Sequence, residues 1–282
     1  MSSLTVGSLF SGIGGIDLGL ERAGHRVLWH SEIDNYASRV LKKHWPEIPN
    51  LGDVKKINWS EVPNVDIIAG GYPCQPFSQA GKRKGKEDPR HLWPYVLDAI
   101  RAIRPRYALM ENVRGHLSLG FGDVLADLAG CGYSAEWQII SAASVGAPHR
   151  RDRLFFVAYP DDAGDRASER DMERERSTRF VFGDESLNGI SGRGSTMADT
   201  DGEQLGQHRA SRNVAGESQQ RHDQRIRQAT DDFGEWWKTE PRMGRVANGI
   251  PARVDKLRGL GNAVVPQVAE LVGRLISYHS DN

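Results

Sequence analysis

Cys74 sits in Gly70-Gly71-Tyr72-Pro73-Cys74-Gln75-Pro76-Phe77-Ser78, a loop that its prolines and glycines stiffen rather than bury. A lone cysteine is most often a small core hydrophobe. A reactive one needs a partly exposed, electropositive setting that favours the thiolate. The cationic run Lys82-Arg83-Lys84-Gly85-Lys86 follows closely and supplies such a setting. The other cysteine, Cys131, stands between Gly130 and Gly132 after a helical stretch and keeps the structural reading. Glu111, in Glu111-Asn112-Val113, directly follows an apolar run, so its carboxyl is expected at the same sheet edge as Cys74. A carboxyl beside a thiolate is an acid–nucleophile pairing. His149-Arg150-Arg151-Asp152-Arg153 leads into another apolar run. On a strand, Arg151 and Arg153 would point to one face.

A second group of residues suits ligand binding. Phe10-Ser11-Gly12-Ile13-Gly14-Gly15 forms a glycine-rich turn between a β-prone run and an amphipathic stretch. Glycines there let backbone approach a ligand and free the amides of the following helix. Glu32 and Asp34 follow the next strand, and Asp53 ends a third segment. Singly, each acid reads as a cap or a surface carboxylate; together, at successive strand ends, they suggest an adenosine-containing cofactor. A nicotinamide-dependent oxidoreductase would account for the turn and Glu32. It leaves Cys74 and Glu111 without a task.

Alternating strands and helices must position these residues. Strands are expected over 4–10, 26–30, 65–69, 107–110 and 153–158, with helices over 16–23, 36–44, 93–104 and 121–129. Such alternation predicts a largely parallel sheet with helices on both faces. From Asp161 to about Asp232 the text turns polar, rich in Asp, Arg, Gly, Ser and Gln and without lysine, and no period persists. Order is expected again from Trp236-Trp237, with a final helix over 264–276 that Gly261-Asn262 begins. The domains read as 1–160, 161–245 (partly irregular), and a segment over 246–282 returning to the first.

The 282 residues can bury one substantial core and a smaller domain. The 37 basic and 37 acidic residues balance, so bulk charge neither supports nor excludes a nucleic-acid partner. The first residues lack a signal-peptide pattern, and no apolar stretch approaches the roughly 20 residues of a membrane span. Two cysteines suit a reducing compartment, so a cytoplasmic location is expected.

In order and spacing, these segments resemble the motif series of the cytosine-5 DNA methyltransferases of bacterial or phage type, over roughly 5–159 and 250–275. Phe10 to Gly15 resembles the first motif, Pro73-Cys74-Gln75 the nucleophile motif, and Glu111-Asn112-Val113 the Glu-Asn-Val motif. Arg151 and Arg153 resemble the paired arginines, and Gly261-Asn262-Ala263-Val264 the last motif. His149 departs from the pattern, standing where the family usually has glutamine.

The resemblance implies an α/β, Rossmann-like S-adenosylmethionine-dependent methyltransferase sheet with a smaller target-recognition domain. It implies methyl transfer to carbon 5 of a flipped cytosine through a covalent Cys74 adduct, with Glu111, Arg151 and Arg153 as catalytic partners. The cofactor would lie on Phe10, Ser11, Gly12, Gly14, Gly15, Glu32, Ile33, Asp53, Val54, Pro73, Asn262 and Val264, with no metal. Lys82, Arg83, Lys84 and Lys86 would contact phosphates of double-stranded DNA. A monomer is expected, in a restriction-modification or phage setting with a possible separately encoded endonuclease. Relatives that methylate transfer RNA are the nearest alternative, and an inactive DNA-binding relative is disfavoured by the presence of Cys74 and Glu111.

Overall fold

The computed structural model describes residues 3–73, 92–161 and 253–281. Strands β1 (Thr5–Leu9), β2 (Arg26–Ser31), β3 (Ile67–Gly70), β4 (Tyr107–Val113), β5 (Tyr133–Ile140) and β6 (Arg153–Pro160) form one six-stranded sheet, ordered β2-β1-β3-β4-β6-β5. Helices α1 (Gly15–Arg22), α2 (Asn35–His44), α3 (Trp93–Ile103) and α4 (Phe121–Ala129) follow the first four strands in turn. Two further helices, α5 (Arg253–Asn262) and α6 (Pro266–Asp281), close the chain.

Alternation along the central strands explains why they are apolar on both faces. Val6, Ile67, Leu109, Phe155 and Val157 pack on one side with Leu20 of α1 and Val268, Val272 and Ile276 of α6. Ile68, Ala108, Met110 and Phe156 face the opposite side, against Val96 and Ile100 of α3 and Leu128 of α4.

The sheet is mixed rather than largely parallel. The β1–β2, β1–β3 and β3–β4 pairs are parallel, whereas β4–β6 and β5–β6 are antiparallel. The difference comes from β5, which the sequence does not announce. It is an edge strand bonded only to β6, it carries Ser134, Glu136 and Gln138, and Trp137 is 47% exposed. With little apolar surface to bury, its period is faint. The C-terminal boundaries also move: Gly261 and Asn262 end α5 instead of opening the last helix. Two glycines and an interrupted apolar stripe in Arg-Val-Asp-Lys-Leu-Arg-Gly-Leu-Gly-Asn hide α5 from a helical pattern. The region expected to form the second domain, 161–245, lies outside the described residues apart from its first residue. No helix among the described residues is long and apolar enough to cross a membrane.

The last helix docks through close backbone approach. A Cβ on Gly19 would lie 2.3 Å from the Pro266 carbonyl oxygen and 2.6 Å from the Ala269 Cβ. Buried His25 stands beside the same seam: its Nε2 donates to the Gly273 carbonyl at 3.0 Å. Gly19→Ala is therefore expected to force α1 and α6 apart and to lower stability by about 1–3 kcal/mol, read by urea unfolding. An unchanged midpoint would show that the helices can shift without loss.

Candidate active site

The carboxyl ends of β1, β2, β3 and β4 open onto one cavity of about 470 Å³. This is the edge at which open α/β sheets bind ligands. The chain leaves β1 through Phe10, whose φ of +50° is uncommon for a bulky residue, and then turns through Gly12 at +57° and Gly14 at +85°. Phe10, Ser11, Gly12, Ile13 and Gly15 line the cavity, as do Glu32, Gly71, Tyr72, Pro73, Glu111, Arg153, Asn262 and Val264.

Glu32 secures the first wall. One of its carboxylate oxygens accepts the Gly12 amide at 2.7 Å and the other the Asp34 amide at 2.7 Å. Asp34 caps α2, accepting from the amides of Tyr36 and Ala37 at 2.9 Å each, and pairs with the Arg258 guanidinium of α5. Those amide bonds, that of Ala37 foremost, hold its pKa below the ordinary value. The α5 side of the cavity, with Asp255, Arg258 and Gly259, was not legible in the sequence because α5 itself was not.

The expected cofactor residues do not all converge. Gly14 packs against Trp45 instead of lining the cavity: a Cβ there would lie 2.4 Å from the indole. Ile33 is 71% exposed, Val54 is buried, and Asp53 caps a short 3₁₀ turn by accepting the Lys55 amide at 3.1 Å. None of these three belongs to the lining.

The opposite wall carries the acid. Glu111 lies within β4, two residues before its end rather than after the strand, because pairing with β6 extends β4 to Val113; the Nε of Arg153 contacts its Oε1 at 3.0 Å. Its other oxygen faces Gly71, where any Cβ would come within 2.8 Å, so glycine at 71 makes room for the carboxyl. Burial pushes the Glu111 carboxyl up to about 7, against the pull of Arg153 and Arg151. A carboxyl near half-protonation at neutral pH can both hold and release a proton.

Arg151 does not share a strand face with Arg153. It lies before β6, at φ +42°, and its guanidinium reaches the carbonyls of Gly261 and Ala263. A left-handed residue breaks the two-residue alternation on which the same-face expectation rested. His149 is exposed.

The strand exits on either side of Glu111 are tied together by Asn112, Tyr72 and His116, to which the sequence reading assigns no task. The Asn112 amide donates to the Tyr72 carbonyl at 3.2 Å. Buried His116 donates from Nδ1 to the Leu119 carbonyl at 2.9 Å, which leaves Nε2 to accept the Tyr72 hydroxyl at 2.7 Å. Tyr72 and His116 are separated by 44 positions, so no local pattern exposes the pair. Cys74, Lys82, Arg83, Lys84 and Lys86 lie outside the described residues; Pro73, exposed at the cavity, is the last described residue before them.

Several known proteins are similar to this chain. Type II methyltransferase M.BsuFI of Bacillus subtilis is 37% identical over 166 residues, covering 57% of this chain and 40% of that protein. Type II methyltransferase M.Eco47II of Escherichia coli is 40% identical over 172 residues, covering 57% and 40%. The chain thus spans well under two thirds of these relatives' length. Among solved structures, the S. pombe Dnmt2 methyltransferase superposes with a TM-score of 0.58 at 18% identity, covering 99% of this chain and 98% of that one. Entamoeba histolytica methyltransferase EhMeth gives 0.57 at 19%, covering 100% and 99%; at such identities the likeness concerns the fold alone. The profile of the C-5 cytosine-specific DNA methylases matches residues 4–245, and the chain belongs to that family.

Proposed function

We propose that the chain is a DNA cytosine-5 methyltransferase that attacks its target base with the Cys74 thiolate. The observation that carries this reading is the partly buried Glu111–Arg153 pair, 3.0 Å apart, beside the strand exit that leads to Cys74. Carbon 5 of cytosine is a weak nucleophile. Thiolate addition at carbon 6 breaks the aromaticity and makes carbon 5 enamine-like, dividing one hard step into easier ones. Glu111 in its protonated form donates to ring nitrogen 3 and so favours the adduct. Arg153 orients that carboxyl and would bind the pyrimidine oxygen. A base then takes the carbon-5 proton and Cys74 leaves.

The cavity fits S-adenosylmethionine. Its size falls within the ordinary range for small-molecule sites. Apolar Phe10 and Ile13 suit a nucleoside face, and Glu32 and Asn262 offer polar groups for its hydroxyls and the amino-acid end. When bound, that cofactor supplies an electrophilic sulfonium methyl group. Ile33, Asp53 and Val54, beyond the lining, would complete the adenosine end.

The target atom is inaccessible within a duplex, so the cytosine must be flipped, at a cost of a few kcal/mol. The region over 161–245 is the natural reader of double-stranded DNA, with Lys82, Arg83, Lys84 and Lys86 as phosphate contacts. A monomer in a restriction-modification or phage setting, in the cytoplasm and with a separately encoded endonuclease, fits relatives named type II methyltransferases.

Bisulfite sequencing of DNA from cells expressing the chain tests the activity and its sequence context together. Protected cytosines within one recurrent sequence are the expected result. A chain that methylates transfer RNA and leaves duplex DNA untouched would overturn the reading. Arg153→Ala is expected to slow transfer by about a hundredfold with folding intact, because it strips Glu111 of its orienting charge. Unchanged single-turnover rates would remove Arg153 from the site.

A further inference from the structure

Arg151 and Arg153 lie two residues apart and serve opposite walls of the cavity. Arg153 reaches Glu111 at 3.0 Å. Arg151, whose charge also acts on Glu111, makes its hydrogen bonds elsewhere: one terminal nitrogen donates to both the Gly261 and the Ala263 carbonyls at 2.7 Å. Those carbonyls flank Asn262, and the same short link continues into Val264; both residues line the cavity.

The backbone around Arg151 is built to hold this reach. The Arg150 carbonyl accepts from the Ala142 amide at 2.7 Å and from the Ser141 hydroxyl at 2.7 Å. On the other side Arg153 is fixed in β6, opposite Val113 of β4. Between these two anchors Arg151 keeps a φ of +42°, a conformation that persists in a non-glycine residue only where its surroundings enforce it. Its Nε is buried and meets no acceptor among the described residues, and the two carbonyls are the acceptors its guanidinium meets. The link is confined from its other side as well: the Val264 carbonyl lies where a Gly15 Cβ would come within 2.5 Å. Without Arg151, nothing else described bonds the Gly261 and Ala263 carbonyls, and the turn bearing Asn262 is free to drift from the cavity.

We propose that Arg151 is a positioning residue for the methyl donor, a strut that holds the Asn262 turn against the cofactor cavity, and that it does not contact the base. The proposal rests on the reading of this cavity as the S-adenosylmethionine site. A guanidinium can satisfy two carbonyls in a fixed geometry, whereas a lysine ammonium is a mobile point charge.

The test is calorimetric titration of S-adenosylhomocysteine into wild type, Arg151→Ala, Arg151→Lys and Arg153→Ala without DNA, followed by single-turnover methylation at saturating cofactor. Loss of the strut is expected to weaken binding about tenfold or more in Arg151→Ala and by an intermediate amount in Arg151→Lys, with Arg153→Ala within about twofold of wild type. At saturating cofactor, Arg151→Ala should recover a rate within about threefold of wild type, while Arg153→Ala stays slow. Arg151→Lys keeps the positive charge, so it reports on the fork if the alanine variant fails to fold. Unchanged binding by the Arg151 variants with a lost rate at saturation would overturn the proposal and return Arg151 to the base. Failure of the wild type to bind S-adenosylhomocysteine would instead overturn the reading of the cavity, and the proposal with it.

Discussion

Cys74→Ser is expected to abolish methyl transfer, by about three orders of magnitude or more, while cofactor and DNA binding persist. The two side chains are nearly isosteric, so the exchange changes little but the reacting atom. What changes is acidity. A cysteine near its free pKa of about 8.5 is already a few per cent thiolate at pH 7. A serine hydroxyl has no comparable anion population and would need a dedicated base. Duplex DNA carrying 5-fluorocytosine makes the comparison direct, because fluorine at carbon 5 cannot leave as the proton does and the adduct is retained. Wild type should form a protein–DNA adduct stable to denaturation, and Cys74→Ser none. Normal turnover by the serine variant would remove Cys74 from the mechanism.

Which residues could be placed from sequence follows a physical division. Glu111 was legible because an apolar run ending in a carboxylate fixes both the strand and the edge at which the acid emerges; β4 runs Tyr107–Val113 and Glu111 faces the cavity. The glycine-rich turn was legible for the same reason, as punctuation between β1 and α1. Arg151 was not. Strand alternation assigns a face only to residues in the strand, and a left-handed φ at Arg151 aims its side chain elsewhere. The edge strand β5 and the glycine-broken helix α5 bury too little to write a period into the sequence. The Tyr72–His116 and Arg258–Asp34 contacts join positions 44 and 224 apart, and only the fold brings such pairs together.

Glu111→Gln tests the acid where geometry and electrostatics combine. Glutamine keeps the shape and the capacity to meet Arg153 but has no carboxyl proton to give, so transfer should fall by about 10²–10⁴-fold with cofactor affinity unchanged. The pH dependence carries further information. With the carboxyl at about 7, the protonated fraction falls from about nine tenths at pH 6 to about one tenth at pH 8. Because kcat/KM reports groups of the free enzyme, wild type should show a descending limb near pH 7 that the glutamine variant lacks.

Stability should move with the same proton. The folded pKa is raised from 4.5, so the folded state holds the proton more tightly than the unfolded one. The associated stability is fully present below 4.5 and is lost as pH rises through 7. That interval corresponds to about 3 kcal/mol for a group as buried as this one, with its side chain 12% exposed. Glu111→Gln has no such titration, so its stability relative to wild type should improve between pH 5 and pH 8, read as the difference in urea midpoints. Parallel stability curves for the two proteins would mean that the carboxyl is ionised throughout. In that case the proton donated to ring nitrogen 3 must come from elsewhere. The same carboxyl that weakens the fold at high pH is thus the one expected to set the upper pH limit of the chemistry, and one substitution reads both.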